Sequence, residues 1–241
     1  VNSHLVIPSR MQGPPTSGNG GYVAGVLGQW IEDAAEVTLR QPPPLETPLE
    51  IKHGSDGEHT LWHGDTLIAQ AKPSELTVET PYVPHLTEAV EAAKHYPGFQ
   101  AHHFPGCFVC GPDRDEGDGL RIFSGEIPGR NVHAAPWSPP VDSADQAGLV
   151  RPEFVWAALD CPGYFAAFAG QATTIALLGR ITAKIDQPLP VEDTYISVAW
   201  QIETRKRKRT AGTAILSHAG VVHANATTVW IELQDGKNHQ T

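Results

Sequence analysis

The chain has 241 residues, 40% of them hydrophobic and 18% charged, with a formal net charge of −10. That length suffices for one large domain or two small ones with a true core, and the acidic balance argues against general nucleic-acid binding. Its apolar runs are far too short to span a bilayer, and three cysteines do not make a disulfide framework, so the expectation is a soluble, cytoplasmic protein with reduced thiols and no membrane partner.

In chain order, His4 to Ile7 reads as a short strand ahead of a Gly/Pro/Ser loop. Tyr22 to Val37 reads as a helix behind Asn19-Gly20-Gly21, running through Trp30 and Ile31, with Asn19 or Ser17 as N-cap. Residues 38–82 carry short alternating runs broken by Pro, Gly and Asp, the mark of antiparallel strands. Leu86 to His95 has helical spacing and stops at Tyr96-Pro97-Gly98. A Gly/Pro/Asp-rich connector follows over 97–119. Leu120 to Glu126 and Asn131 to Ala135 form an expected hairpin, and Pro152 opens a second helix at a position where its missing N–H costs little. Tyr195 to Ile202, Thr210 to Ser217 and Val221 to Leu233 are β-branched and aromatic, as strands are.

The plan is stated twice. Gln41-Pro42-Pro43-Pro44-Leu45-Glu46 has an echo in Gln187-Pro188-Leu189-Pro190-Val191-Glu192. The stretch from His63 through Ala69-Gln70-Ala71 has one from His218 through Ala224-Asn225-Ala226. Each copy is preceded by a Gly- or Pro-marked helix start. The expected organisation is therefore an N-terminal half over 1–96, a connector over 97–119 and a C-terminal half over 120–241. The class is α+β, with two antiparallel sheets each wrapped around one long helix.

A glycine pair opening an apolar helix, followed by antiparallel strands and then duplicated, resembles the hotdog fold. The whole chain resembles a double-hotdog protein of the thioesterase-like superfamily. Cys107-Phe108-Val109-Cys110-Gly111-Pro112, continuing to Gly119-Leu120, resembles a connector of the acyl-CoA thioesterase group, and Pro152 through Asp160 resembles that group's central helix. The resemblance implies hydrolysis of an acyl-CoA thioester, with coenzyme A as part of the substrate and no separate cofactor or metal. It also makes a homodimer plausible by analogy.

Thioester hydrolysis needs N–H groups aimed at the carbonyl oxygen as it gains charge, and a carboxylate that attacks the carbonyl or activates water. A helix N-terminus supplies the first, and glycines there let a substrate approach the backbone closely. Gly20 and Gly21 match the helix start of the resembled family, with Asn19 in the position of its histidine. In that family an acid follows about two helical turns later. The equivalent position in the first half is Gly28, and in the second half it is Asp160. Conversely, Pro152 and Glu153 replace the glycine pair in the second half. One half keeps the donors and the other keeps the acid, which implies one composite site of Asn19, Gly20, Gly21 and Asp160, and one degenerate site opposite. Here Asp160 is nucleophile or general base, and Asn19 caps the helix or orients the carbonyl or water. Burial would raise the Asp160 pKa and a facing helix start would lower it.

Each feature also has a plain structural reading. The glycines serve a turn, and Asp160 before Cys161-Pro162-Gly163 marks a helix end or kink. The basic run Arg205-Lys206-Arg207-Lys208-Arg209 is a seat for coenzyme A phosphates through Arg205, Arg207 and Arg209, or a solvated hairpin edge. Cys107 and Cys110, with His102 and His103 nearby, are packing residues of the connector, zinc ligands or a redox pair. A non-catalytic acyl or CoA-ester binding protein on the same fold is the alternative function. The Gly-Asp-x-Asn-Pro core of hotdog hydratases is absent, which argues against dehydration chemistry.

Overall fold

The computed structural model describes residues 3–170 and 174–233. The strands β1 (Ser3–Val6), β2 (Ala35–Leu39), β3 (Pro48–His53), β4 (His59–His63) and β5 (Thr66–Pro73) come from the first part of the chain. The strands β6 (Gly125–Ile127), β7 (Val132–Trp137), β8 (Ala176–Ile185), β9 (Tyr195–Arg205), β10 (Lys208–Leu216) and β11 (Val222–Glu232) follow. They form one 11-stranded sheet in the order β1-β3-β4-β5-β2-β8-β11-β10-β9-β7-β6. All its pairs are antiparallel. The expectation of two separate sheets is thereby corrected. Val37 of β2 lies opposite Ile181 of β8 and Glu36 opposite Thr182, which joins the two sets of strands through their backbones.

Three α-helices complete the architecture among the described residues: α1 (Gly20–Gly28), α2 (Leu86–Ala93) and α3 (Pro152–Ala167). The first and third pack on each other and on strands of the sheet. Every residue of α1 from Gly21 to Gly28 is buried. A helix that is apolar all round suits a place between a second helix and a sheet. Asn19 caps it, its Oδ1 accepting the Tyr22 N–H at 2.9 Å.

The expected helix over Tyr22 to Val37 is shorter than read. It ends at Gly28, a turn with Asp33 at φ 28° follows, and Ala35–Leu39 is a strand. Val37 has a strand-forming side chain, and pairing of Ala35 to Val37 with both β5 and β8 overrides the helical spacing. Trp30, read on the helix, is 54% exposed.

In the second half of the chain the expected strand from Leu120 shrinks to Gly125–Ile127. Leu120 and Ile122 instead donate their N–H groups to the carbonyls of Phe108 and Val109, both at 2.9 Å. That ties the segment to the cysteine-bearing connector. The helix that begins at Pro152 does not stop at Pro162 but runs on to Ala167.

Helix α2 packs on β6 and β7, where Ala89 and Ala92 meet Ile127, Val132 and Trp200 in a small core of their own. The main core is built by α1, α3 and the inner sheet face, with Leu27, Phe154, Leu159 and Ile181 all fully buried. No helix among the described residues is long and apolar enough to cross a membrane.

Candidate active site

Close approach of α1 and α3 creates the site. A Cβ on Gly21 would lie 2.5 Å from Asp160 Cβ and 2.7 Å from Trp156 O, and one on Gly25 would lie 2.5 Å from Glu153 Cα. Only glycine fits at either position, and that brings the start of α1 against the middle of α3. There Asp160 Oδ2 accepts the Gly21 N–H at 2.9 Å and an Asn19 Nδ2 proton at 3.0 Å. The four residues singled out as a composite site thus meet, although they lie about 140 positions apart in the chain.

The contact changes what each is free to do. The Gly21 N–H is occupied by the carboxylate, so it positions Asp160 and does not face a substrate carbonyl. The Gly20 N–H has no hydrogen-bond partner among the described residues, so the donor at the wall of the site is Gly20. Asp160 is 2% exposed, and its Oδ1, also buried, has no partner among the described residues. Burial raises its pKa from the usual carboxylate value to about 7, against the lowering effect of the Gly21 and Asn19 hydrogen bonds. Desolvation therefore outweighs the helix start, and a carboxyl group in this state exchanges its proton near neutral pH.

Asn19, Gly20 and Asp160 line a cavity of about 960 Å³, a size suited to a small-molecule ligand. Its walls come from the loop before α1, the middle and end of α3, the start of β8 and the connector around residues 101–110. Tyr164, Phe165 and Phe168 supply much of the apolar lining from α3 and its C-cap.

The connector therefore is a wall of the site. Cys107 and Cys110 are fully packed, and Cys161, the residue after Asp160, joins them, with the three sulfur atoms within 4.8 Å of one another. The Cys107 thiol is held well below its ordinary pKa by hydrogen bonds from the Cys110 and Cys161 thiols. Burial pushes Cys110 up, and the hydrogen bond with Cys107 pushes Cys161 up. His102 Nε2 lies 3.3 Å from Cys110 Sγ, and its Nδ1 accepts the Phe104 N–H at 3.0 Å. Burial lowers the His102 pKa. Sequence reasoning missed Cys161 and the role of the connector. The signal was the spacing Cys107-x-x-Cys110-Gly111, which marks a tight turn presenting two thiols together.

The basic run sits apart. None of Arg205, Arg207 and Arg209 lines the cavity. Arg209 pairs with Glu232 at 2.7 Å and stacks over Phe168, 4.7 Å from its ring centre. Arg207 Nη1 donates to the Glu232 carbonyl at 3.4 Å. Residues 205–208 and Ile231 border a second, smaller hollow of about 300 Å³, and Ile231 also lines the large cavity. The run thus lies behind the Phe168 and Ile231 end of the cavity.

No family model and no curated protein matches the sequence. Solved structures do resemble it. The tesB protein of Mycobacterium avium subsp. paratuberculosis is 10% identical, with a TM-score of 0.63 over 97% of this chain and 93% of that one. An acyl-CoA thioesterase II of Mycobacterium marinum is 9% identical, with a TM-score of 0.58 over 92% of each chain. A protein of unknown function with a hot dog fold from Alicyclobacillus acidocaldarius is 10% identical, with a TM-score of 0.57 over 97% of this chain and 93% of that one. Proteins carrying thioesterase names thus match the structure over nearly the whole chain, as the motifs of the connector and helix starts imply. At these identities the likeness is one of architecture, and it establishes that this chain has the hotdog fold.

Proposed function

We propose that the protein hydrolyses acyl-CoA thioesters at one composite site between two hotdog halves, residues 1–96 and 120–241, joined by the connector over 97–119. The observation that carries the reading is the pairing of Asp160 with the start of α1. One carboxylate oxygen is held by Gly21 and Asn19, and the other is left without a partner beside a roomy apolar cavity. The proposed duplication accounts for the reciprocal losses, Gly28 against Asp160 and Glu153 against Gly21.

In this reading the acyl chain occupies the apolar cavity and the thioester carbonyl sits against the Gly20 N–H, which stabilises negative charge as it develops. Asp160 Oδ1 either removes a proton from an attacking water, or attacks the carbonyl carbon to give an acyl–Asp160 anhydride that water then hydrolyses to the free acid, restoring the carboxylate. In either route the coenzyme A thiolate leaves and takes up a proton. Asn19 and Gly21 are positioning residues: they fix the rotamer of Asp160 and keep its carboxylate from being wholly protonated at neutral pH.

The activity is tested by free-thiol release from a panel of short, long and aromatic acyl-CoA thioesters across about pH 5 to 9. The reactive form is the carboxylate, so kcat/KM is expected to rise with pH through a midpoint near 7 and then level off. Asn19→Ala removes a hydrogen bond that lowers the pKa, so its midpoint is expected to move to higher pH. A pH profile flat across this range, or an unmoved midpoint in the variant, would remove Asp160 from the chemistry.

We propose further that Arg205 and Arg207 attract the phosphates of coenzyme A at the cavity's outer end, Arg209 being held by Glu232. Arg205→Glu with Arg207→Glu is expected to raise KM for an acyl-CoA about tenfold and leave kcat unchanged. The acyl ester of N-acetylcysteamine, which lacks phosphates, is expected to be unaffected. Equal KM changes for both substrates would show that the run serves the hairpin and not the ligand.

A further inference from the structure

The chain has three cysteines in all, and the fold gathers them from two distant segments. Cys107 and Cys110 come from the connector and Cys161 from the middle of α3, yet their sulfur atoms lie within 4.8 Å of one another. The Cys107 and Cys161 sulfurs are 3.7 Å apart. Zinc–thiolate bonds of about 2.3 Å in tetrahedral geometry set neighbouring sulfurs roughly 3.8 Å apart; the Cys107–Cys161 pair has that spacing, and Cys110 lies within 4.8 Å of both. A disulfide needs about 2.05 Å, and pairing any two of the three would leave the third alone.

Two of the three sulfurs also have an N–H donor near them. Asn19 Nδ2 lies 3.8 Å from Cys161 Sγ. At Cys110 the donor is His102: its Nδ1 already accepts the Phe104 N–H, so the ring proton sits on Nε2, 3.3 Å from the sulfur. His102 is thereby an outer partner of a thiolate and not a fourth ligand. Donors beside two of the sulfurs suit anionic sulfur, which a buried site tolerates when a cation neutralises it.

We propose that Cys107, Cys110 and Cys161 form a three-thiolate site for a thiophilic divalent cation, Zn²⁺ by its chemistry, on the wall of the cavity. Three thiols bind one Zn²⁺ with release of three protons, and the assembly carries one net negative charge. The three cysteines and His102 all line the cavity, so the fourth coordination position is filled from it by water. The inference rests on the thiol geometry and stands whether or not the protein hydrolyses thioesters.

The test is titration of the reduced full-length protein with Co²⁺ under anaerobic conditions. One equivalent is expected to produce sulfur-to-cobalt charge-transfer absorption, which Zn²⁺ then abolishes by displacement. Zn²⁺ is also expected to protect all three thiols of the wild-type protein from alkylation. Cys161→Ser leaves two of three thiolates, so the band is expected to lose about a third of its intensity, and His102→Ala is expected to weaken binding about tenfold. The wild-type protection experiment decides the matter even if Cys161→Ser does not fold. Absence of the charge-transfer band, or alkylation at the same rate with and without Zn²⁺, overturns the site.

Discussion

Asp160→Asn is expected to lower kcat for thioester hydrolysis at least 10³-fold, on the order of the loss when an acid–base group or nucleophile is neutralised. The amide can still accept the Gly21 and Asn19 hydrogen bonds through its oxygen, so the site keeps its shape. Substrate affinity should therefore stay within a few-fold of wild type, and the loss should fall on kcat. The same variant is expected to be more stable than wild type above neutral pH. The folded-state pKa of Asp160, about 7, lies above the usual 3.8, so the native state holds this proton more tightly than the unfolded chain does. The stabilisation from the bound proton is full below about 3.8 and is lost as pH rises to about 7. That interval is worth on the order of 4 kcal/mol. The asparagine has no charge to bury but leaves an N–H₂ group where Oδ1 has no partner, which costs about 1–3 kcal/mol.

A net gain of about 1–3 kcal/mol remains at pH 8, a rise in Tm of roughly 2–12 °C for a chain of this size. At pH 4 the difference should change sign, because Asp160 is then protonated in the folded state and only the cost of the unpartnered N–H₂ group remains. Thermal melts of both proteins at the two pH values check this, and kinetics on the same samples give the catalytic loss. A variant that hydrolyses normally would take Asp160 out of the reaction. Saturable binding of acyl-CoA by a wild-type protein without turnover would instead identify a binding protein that uses the same cavity.

The parts of this arrangement legible in sequence are those fixed by local chemistry. Asn19 before a glycine pair, Pro152 at a helix start and the β-branched runs of the last three strands each specify backbone geometry within a few residues. The meeting of Asp160 with the start of α1 was foreshadowed by reading the chain as two copies that lose the glycine pair and the acid reciprocally, a pattern sought without any contact. What the sequence hid depends on long-range pairing. Ala35 to Val37 follow a helical stretch, and only their placement between β5 and β8 makes them strand. The occupation of the Gly21 N–H by Asp160 follows from the distance between two helices, which no spacing within either one encodes. Cys161 joins Cys107 for the same reason: the connector folds back over α3, held by the N–H groups of Leu120 and Ile122.

That helix spacing gives the other large effect. Gly21→Ala is expected to cut kcat at least 100-fold and to destabilise the protein by about 1–3 kcal/mol. The added methyl would meet Asp160 Cβ at 2.5 Å, Trp156 O at 2.7 Å and Ala157 Cα at 3.0 Å. Two of these belong to the backbone of α3, so no side-chain rotation relieves the overlap, and α1 must move away from α3. Movement of about 1 Å breaks the Gly21 to Asp160 hydrogen bond and turns the Gly20 N–H from its place, enough to account for the loss in rate. Gly25→Ala separates positioning from packing. Its methyl would meet Glu153 Cα at 2.5 Å and Trp156 Cβ at 2.8 Å, one turn further along the same interface, where no group of the proposed mechanism lies. Both variants should melt at lower temperature by similar amounts. Only Gly21→Ala should lose most of its kcat and shift the pH midpoint when both are assayed well below their melting temperatures. With the Gly21 donor gone, the Asp160 pKa rises further, so the shift is to higher pH. Equal kinetic losses in the two variants would mean that the helix interface matters only as packing, and that the start of α1 has no particular part in the chemistry.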